Sequence, residues 1–361
     1  MPMTVHSTRI TRPDEYEREW RRMVDELSRR GFLRSVGAAG ALLGLAACGS
    51  SNGNGDSTGE TTKGAGAFRY TDARGEQIDL AQKPTRVVAQ TSAAASLWDA
   101  GFRVDGVYGE LKKTNGQLDY QAGDIDLAKL TVLGQTYGEF NIERYAAMRP
   151  QLLVDLCYVG KDLWYVPADA ATKIYGLAPS LGIAMSQKAV PQIIDEFMAL
   201  AGQLGADINS QAVRTAKADY EAAVAAIKAA ARPELKVVAV SRATDKLWVC
   251  DPRQTADLKH LLTLGVNVVG PHSKPDTYFD QISWEQVGRY PADVILYDVR
   301  EAPNVAAAAA KMPTWTDLPA VKAGQAYAWH PAAPFSYKSY APLYRDIGDQ
   351  LRRARVVAPA S

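Results

Sequence analysis

The chain of 361 residues has little cysteine, little histidine and no surplus of charge. Three cysteines, Cys48, Cys157 and Cys250, are too few for a disulfide framework. Four histidines, His6, His260, His272 and His330, are scattered and form no paired metal-ligand spacing. Lys plus Arg number 41 against 40 Asp plus Glu, so no bulk charge points to nucleic acid. No apolar run reaches the ~18–20 residues of a membrane-spanning helix. A glycine-rich phosphate loop, a Gly-x-Ser-x-Gly elbow and a His-Glu-x-x-His helix are all missing, which counts against an exported hydrolase.

The amino-terminal segment is rich in signals instead. Arg29 and Arg30 form a twin-arginine pair followed by a weakly apolar run over 36–47 and then Cys48. Positive charge, apolar segment, small residues and a break are the order of a secretory leader. Leu45-Ala46-Ala47-Cys48 resembles a bacterial lipobox, which implies lipidation of Cys48 after removal of residues 1–47. The next tract, 48–67, is Gly, Ser, Asn and Thr with few apolar residues and reads as a flexible tether. The leader takes eight Arg and six acidic residues with it, leaving 33 basic and 34 acidic residues in a nearly neutral body. A near-neutral body gives no sign of steering by net charge.

Strand-like and helix-like patterns alternate through the rest, which favours α/β architecture with parallel sheets. Two such regions, 68–208 and 233–361, flank a stretch at 209–232 with apolar residues at Val213, Ala216, Tyr220, Val224, Ile227 and Ala231. That spacing predicts an amphipathic helix, capped by Ser210 and stopped by Pro233. The periodicity fits a rigid rod between two lobes as well as it fits a long surface helix on one larger domain.

The two regions echo one another. One contains N-I-E-R-Y-A-A-M-R-P-Q-L-L-V-D, from Asn141 to Asp155, and the other S-W-E-Q-V-G-R-Y-P-A-D-V-I-L-Y-D, from Ser283 to Asp298. Each has a capping residue, a glutamate two positions on, a short helix, a proline, a buried strand and a closing aspartate. Glu143 and Glu285 therefore fall in the first turn of a helix, where the dipole favours negative charge by about 0.3–1 kcal/mol. That accounts for either glutamate alone; their repetition suggests two acidic knobs on similar surfaces.

With "PTRVVA", "FNIERYAAMRPQLLV", "QISWEQVGRYPADVIL" and "WTDLPAVKAGQAYAW" in this order behind such a leader, the chain resembles the helical-backbone substrate-binding lipoproteins of ABC importers for ferric siderophores, haem and vitamin B12. The resemblance covers residues 68–351. It implies two Rossmann-like α/β lobes joined by one long rigid helix, with a ligand cleft between them. It implies a monomer that hands its ligand to a permease dimer with ATPase subunits, and it assigns Glu143 and Glu285 to permease docking. It also implies anchoring at the outer face of the cytoplasmic membrane after twin-arginine export. The chain departs from the family pattern at Gln151, where an acid is usual, in one extra residue between Glu285 and Asp298, and in a polar insertion at 112–129.

Aromatic residues crowd the positions where family ligands sit: Trp98, Tyr108, Tyr137, Tyr158, Trp164 and Tyr165 in one region, and Trp248, Tyr278, Phe279, Trp329, Phe335, Tyr337 and Tyr340 in the other. Broad rings with polar tips suit a flat organic chelate. The expected ligand contacts are Tyr137, Tyr158, Tyr278, Phe279, Trp248 and Trp329, with Arg242 as a fork of donors to chelate oxygens. No cofactor and no protein-held metal are expected, because clustered His and carboxylates are missing. Iron would arrive only inside a ferric siderophore. His330 and His272 read as ordinary surface residues, and Cys157 and Cys250 as two free thiols in different lobes. Haem or a corrinoid on the same fold, a sensory lipoprotein and an exported enzyme are the competing readings.

Overall fold

The computed structural model describes residues 66–113, 116–158, 160–272, 278–301 and 303–357. Cys48, Arg29, Arg30, the leader and nearly all of the tether lie outside the described residues.

The described residues start with a hairpin, β1 (Phe68–Thr71) and β2 (Gln77–Leu80), closed by Gly75 at φ 80°. The first large sheet is built from β3 (Val87–Gln90), β4 (Gly106–Tyr108), β5 (Thr131–Val132), β6 (Leu152–Cys157) and β7 (Ser180–Ala184). Its order is β5-β4-β3-β6-β7, with every pair parallel. Parallel pairs need helical crossovers, and helices Thr91–Asp99 and Ile142–Met148 supply them. Helix Val190–Leu204 follows the last strand and packs on the sheet through Ile193, Ile194, Phe197 and Leu200.

The second sheet starts after the predicted long helix. Its strands are β8 (Lys236–Arg242), β9 (Lys246–Cys250), β10 (Asn267–Val268), β11 (Phe279–Ser283), β12 (Val294–Asp298) and β13 (Ala326–Trp329). The order is β11-β9-β8-β12-β13, with β10 paired to the start of β8. The hairpin β8-β9 and its neighbour β11 are antiparallel; β12 and β13 run parallel to β8.

The spine helix runs Gln211–Ala230, with Ser210 Oγ accepting from Val213 N at 3.4 Å. It buries Val213, Tyr220, Ala223 and Ile227; Ala216, Val224 and Ala231 of the predicted stripe are only half-buried. Its partner is the C-terminal helix Tyr337–Arg353. Gly348 lies at the crossing, where a Cβ would come into ordinary contact 3.4 Å from the Ile227 backbone nitrogen. Just past the spine, Arg232 Nη2 donates to the carbonyls of Leu351 (2.9 Å) and Ala354 (2.6 Å), satisfying orphan acceptors at the partner helix's end. One apolar core runs from the first sheet through both helices into the second sheet.

The C-terminal helix starts at Tyr337, because Ser336 Oγ caps it by accepting from Ser339 N at 3.0 Å. The stretch before β13 forms two short helices, Pro313–Thr316 and Pro319–Lys322, since Pro319 has no N–H to continue the first. Trp284–Arg289, read from sequence as a short helix, is a 3-10 helix. It contains Gly288 and is cut off ahead of Pro291, too short a span to settle into α geometry. The polar insertion folds into two 3-10 turns, Tyr120–Ala122 and Leu127–Lys129, capped by Asp119 and Asp126. No helix among the described residues is long and apolar enough to cross a membrane.

Candidate ligand-binding site

The C-terminal ends of the parallel strands in the two sheets face one another across a cleft. A cavity there encloses about 700 Å³, counting the solvent at its mouth. This is where open α/β sheets place ligands, since the crossover loops diverge beyond the strand ends. Tyr158 enters from the end of β6, Ser241 from β8, Arg300 from just beyond β12 and Trp329 from β13. Residues Gln254, Thr255, Ala256 and Asp257 form a wall at the start of helix Ala256–Thr263. Phe335 and Tyr340 close the floor.

The rings pack edge to face around Tyr158 and tilted by 33° between Phe335 and Tyr340. Tyr158 meets Trp164 at 5.7 Å between centroids and Tyr278 at 6.4 Å, and Phe335 meets Tyr340 at 5.6 Å. Such geometry holds each ring rigid while leaving a face for a ligand. Tyr165 is fixed at both ends: its N–H donates to Asp155 Oδ2 (3.1 Å) and its hydroxyl to Gln121 Oε1 (3.3 Å) in the insertion.

Two charged side chains line the cavity. Arg300 is gripped by Asp298, with Nη2 2.6 Å from Oδ2 and Nε 3.0 Å from Oδ1. Ser241 Oγ donates to the same carboxylate at 2.9 Å. Burial opposes the charge on Arg300, but Asp298 together with Tyr120 and Tyr165 outweighs it and keeps the guanidinium protonated. Asp257 is 6 % exposed. It accepts from Trp329 Nε1 (2.5 Å) and Leu258 N (2.9 Å). Burial pushes its carboxyl up to about 6, against those hydrogen bonds, and Asp298 adds to the rise. Gln254 Oε1 is buried in the wall with no hydrogen-bond partner.

Of the expected contacts, Tyr158, Tyr278, Phe279 and Trp329 line the cavity; Tyr137, Trp248 and Arg242 do not. Tyr137 stands behind the lining, 5.5 Å from the Tyr165 ring and 6.2 Å from Trp164. Trp248 is 6 % exposed in the cluster that backs Tyr278, with Lys246 Nζ 5.4 Å from its ring. Arg242 is on the wrong face of β8. Ser241 points into the cleft, so its neighbour points away. Arg242 instead pairs with Glu301, Nε to Oε2 2.8 Å, and lies 4.4 and 4.6 Å from the rings of Tyr297 and Trp315. The guanidinium in the cavity is Arg300, which sequence reading passed over. Its position two residues beyond Asp298, the last residue of the repeated unit, was the available signal.

Glu143 and Glu285 are both exposed, each in the first turn of its helical segment. Asn141 Oδ1 caps the first by accepting from Arg144 N at 2.8 Å. The Ser283 hydroxyl and the local backbone hold the Glu285 carboxyl below its usual range. The echo extends to Gln151 and Asp293. Gln151 Oε1 accepts from Thr85 N (2.8 Å) and Arg86 N (3.0 Å), while Asp293 Oδ2 accepts from Lys236 N (2.7 Å). Each fastens the start of a neighbouring strand, which is why an amide serves at 151 where an acid is usual.

His272 is exposed, but His330 is half-buried with its ring 5.1 Å from Tyr120, and burial lowers its pKa. Cys157 and Cys250 are free and buried, on β6 and β9. Among the described residues no group of three or more His, Cys, Asp or Glu could hold a metal ion.

Comparison with known proteins agrees with this geometry. None of the curated proteins compared matches the chain. Among solved structures, it is similar to DesE, a ferric-siderophore receptor protein from Streptomyces coelicolor, with 36% identity, TM-score 0.74, and coverage of 80% of this chain and 99% of that one. It shares its fold with the triscatecholate siderophore binding protein FeuA from Bacillus subtilis (18% identity, TM-score 0.58, 78% and 97% covered). It shares it also with Staphylococcus aureus SirA, solved with staphyloferrin B (19% identity, TM-score 0.56, 80% and 99% covered). A family model described as periplasmic binding protein matches residues 87–333, which takes in both sheets, the spine and the whole cavity wall up to Ala333. The chain belongs to the periplasmic binding protein family.

Proposed function

We propose that the protein captures a ferric siderophore outside the cytoplasm and delivers it to an ABC permease. The observation that carries this reading is the cavity at the facing strand ends, walled by rigid aromatic rings and holding the fixed guanidinium of Arg300. Rings supply broad contact to the organic shell of a chelate, and the guanidinium supplies donors to its oxygens. The similarity to DesE supports the same ligand class. In this reading the protein is a monomer without enzymatic activity or resident cofactor, and iron is cargo held by its own chelator. Glu143 and Glu285 dock on the permease dimer, which the ATPase subunits power. Twin-arginine export through Arg29 and Arg30 and lipidation of Cys48 place it on the outer face of the membrane. The lobes are then residues 68–208 and 233–361, joined by 209–232.

The test is tryptophan fluorescence of the purified full-length chain titrated with ferric siderophores, haem and cobalamin. Trp164 and Trp329 line the cavity, so they report occupancy directly. Saturable quenching by a ferric chelate, missing with the iron-free chelator, is the expected result. Saturation by haem or cobalamin alone would replace the cargo, and no saturation would overturn the reading.

A further inference from the structure

The charges in the cavity do not suit a strongly anionic guest. Among the described residues lining it, Arg300 is the one cation, and Asp298 already neutralises it through three contacts of 2.6 to 3.2 Å. The helix start at Gln254–Asp257 would otherwise be an anion-attracting surface, since its unpaired N–H groups carry a partial positive charge. Asp257 sits in that first turn and cancels it. Gln254 adds a buried carbonyl oxygen without a partner, a group that repels anions and lacks a donor. With Asp257 ionised, Arg300, Asp298 and Asp257 together sum to a negative cavity.

Siderophore classes differ in charge. Three hydroxamates neutralise ferric iron completely, whereas three catecholates leave a complex with three negative charges. We propose that the cavity selects a ferric chelate without net negative charge, of the tris-hydroxamate class, that brings an N–H donor to Gln254, and that Asp257 is the specificity residue rejecting anionic chelates. This rests on the siderophore reading above. A buried carboxylate facing a trianion in a low-dielectric cleft is costly, because the repulsion is poorly screened. Arg300 does not offset that cost, since Asp298 already neutralises its charge through Nε and Nη2, leaving Nη1 to donate to chelate oxygens as a neutral pair.

The test is the ratio of affinities of the full-length chain for a linear ferric tris-hydroxamate and a hexadentate ferric tris-catecholate, read by tryptophan quenching. A preference of about tenfold or more for the hydroxamate is expected. Equal or tighter catecholate binding would overturn the charge argument and leave the siderophore function standing. Binding of neither, with saturation by haem or cobalamin, would overturn both. The Asp257→Asn variant, which keeps an acceptor for the Trp329 indole, is expected to narrow the ratio by about tenfold. An unchanged ratio would remove Asp257 as its cause. If the variant fails to fold, the wild-type ratio still decides the ligand class.

Discussion

The hydroxyl of Tyr278 donates to the main-chain carbonyl of Tyr158 at 2.5 Å, tying the second sheet's edge to the end of β6 across the mouth of the cavity. Further bonds join the halves. Ser336 Oγ reaches Asp99 Oδ2 at 2.6 Å, Lys338 Nζ reaches Asp124 Oδ2 at 2.5 Å, and the Tyr120 hydroxyl donates to the Pro331 carbonyl. Two of these four links end on the insertion at 112–129. They argue for small lobe movements, because large ones would break several bonds at once.

Tyr278→Phe is expected to cost about 1 kcal/mol of stability, the usual net worth of one hydrogen bond. Amide hydrogen exchange in residues 156–166 should quicken while exchange in the spine helix stays as it was. Equal acceleration in both would show that Tyr278 does not act locally.

Arg300 and Arg242 should separate in their effects. Arg300→Gln leaves Asp298 buried without its cation, a change worth about 3–5 kcal/mol, and removes the donors facing the ligand. Both stability and ligand affinity should fall. Arg242→Gln exposes Glu301 to the same loss, since both partners are 7 % exposed, but on the opposite face of the sheet. Denaturation midpoints should fall while ligand affinity changes less than about twofold. A large affinity loss in Arg242→Gln would restore it to the binding surface.

His260 should make the fold acid-sensitive. It is buried beside Tyr344, with Nδ1 2.9 Å from the hydroxyl, and burial lowers its pKa from 6.5 to about 4. A depressed folded-state pKa contributes stability that is present above pH 6.5 and is lost as pH falls toward 4, amounting to roughly 3 kcal/mol. Asp155 and Asp257 act in the opposite direction. Burial raises them to about 7 and about 6, so their contribution is full below the ordinary carboxylate range and is lost as pH rises through those values. The measurable quantity is therefore the difference between wild type and His260→Gln in urea midpoints from pH 7 to 4. That difference should shrink or reverse as pH falls. A constant difference would mean that His260 does not titrate in this window.

Glu143→Ala combined with Glu285→Ala should leave ligand affinity as it was, because both side chains are exposed and neither lines the cavity. Uptake of the iron chelate by cells should be abolished. Normal uptake by the double variant would sink the docking assignment.

Much of this architecture is legible in the sequence, for local reasons. The spine announces itself through apolar spacing, Ser210 and Pro233, and it forms over Gln211–Ala230. The hairpins around Gly75 and between β8 and β9 follow from turn residues between short apolar runs. Glu143 and Glu285 fall in first turns because the capping residues before them set the helix starts. Tyr158, Tyr278, Phe279 and Trp329 reach the cavity because each stands at or beside the end of a strand, a position that sequence order alone marks.

Which face a residue occupies was not readable, and Arg242 shows why. Strands of a sheet covered on both sides carry apolar residues at successive positions, so the alternation that reports facing is erased. From Val237 to Arg242 every residue of β8 is buried, and nothing in that run tells Ser241's side from Arg242's. Only the packed sheet, with Asp298 beside Ser241 and Glu301 beside Arg242, assigns them. Arg300 was hard to single out for a related reason: it lines the cavity together with the start of helix Ala256–Thr263, more than forty residues away in the chain. The sequence by itself determined the elements, their order and the family pattern, because these rest on local periodicity and caps. The tertiary structure decided which charges meet in the cleft, because that depends on strand parity and on neighbours distant in the chain.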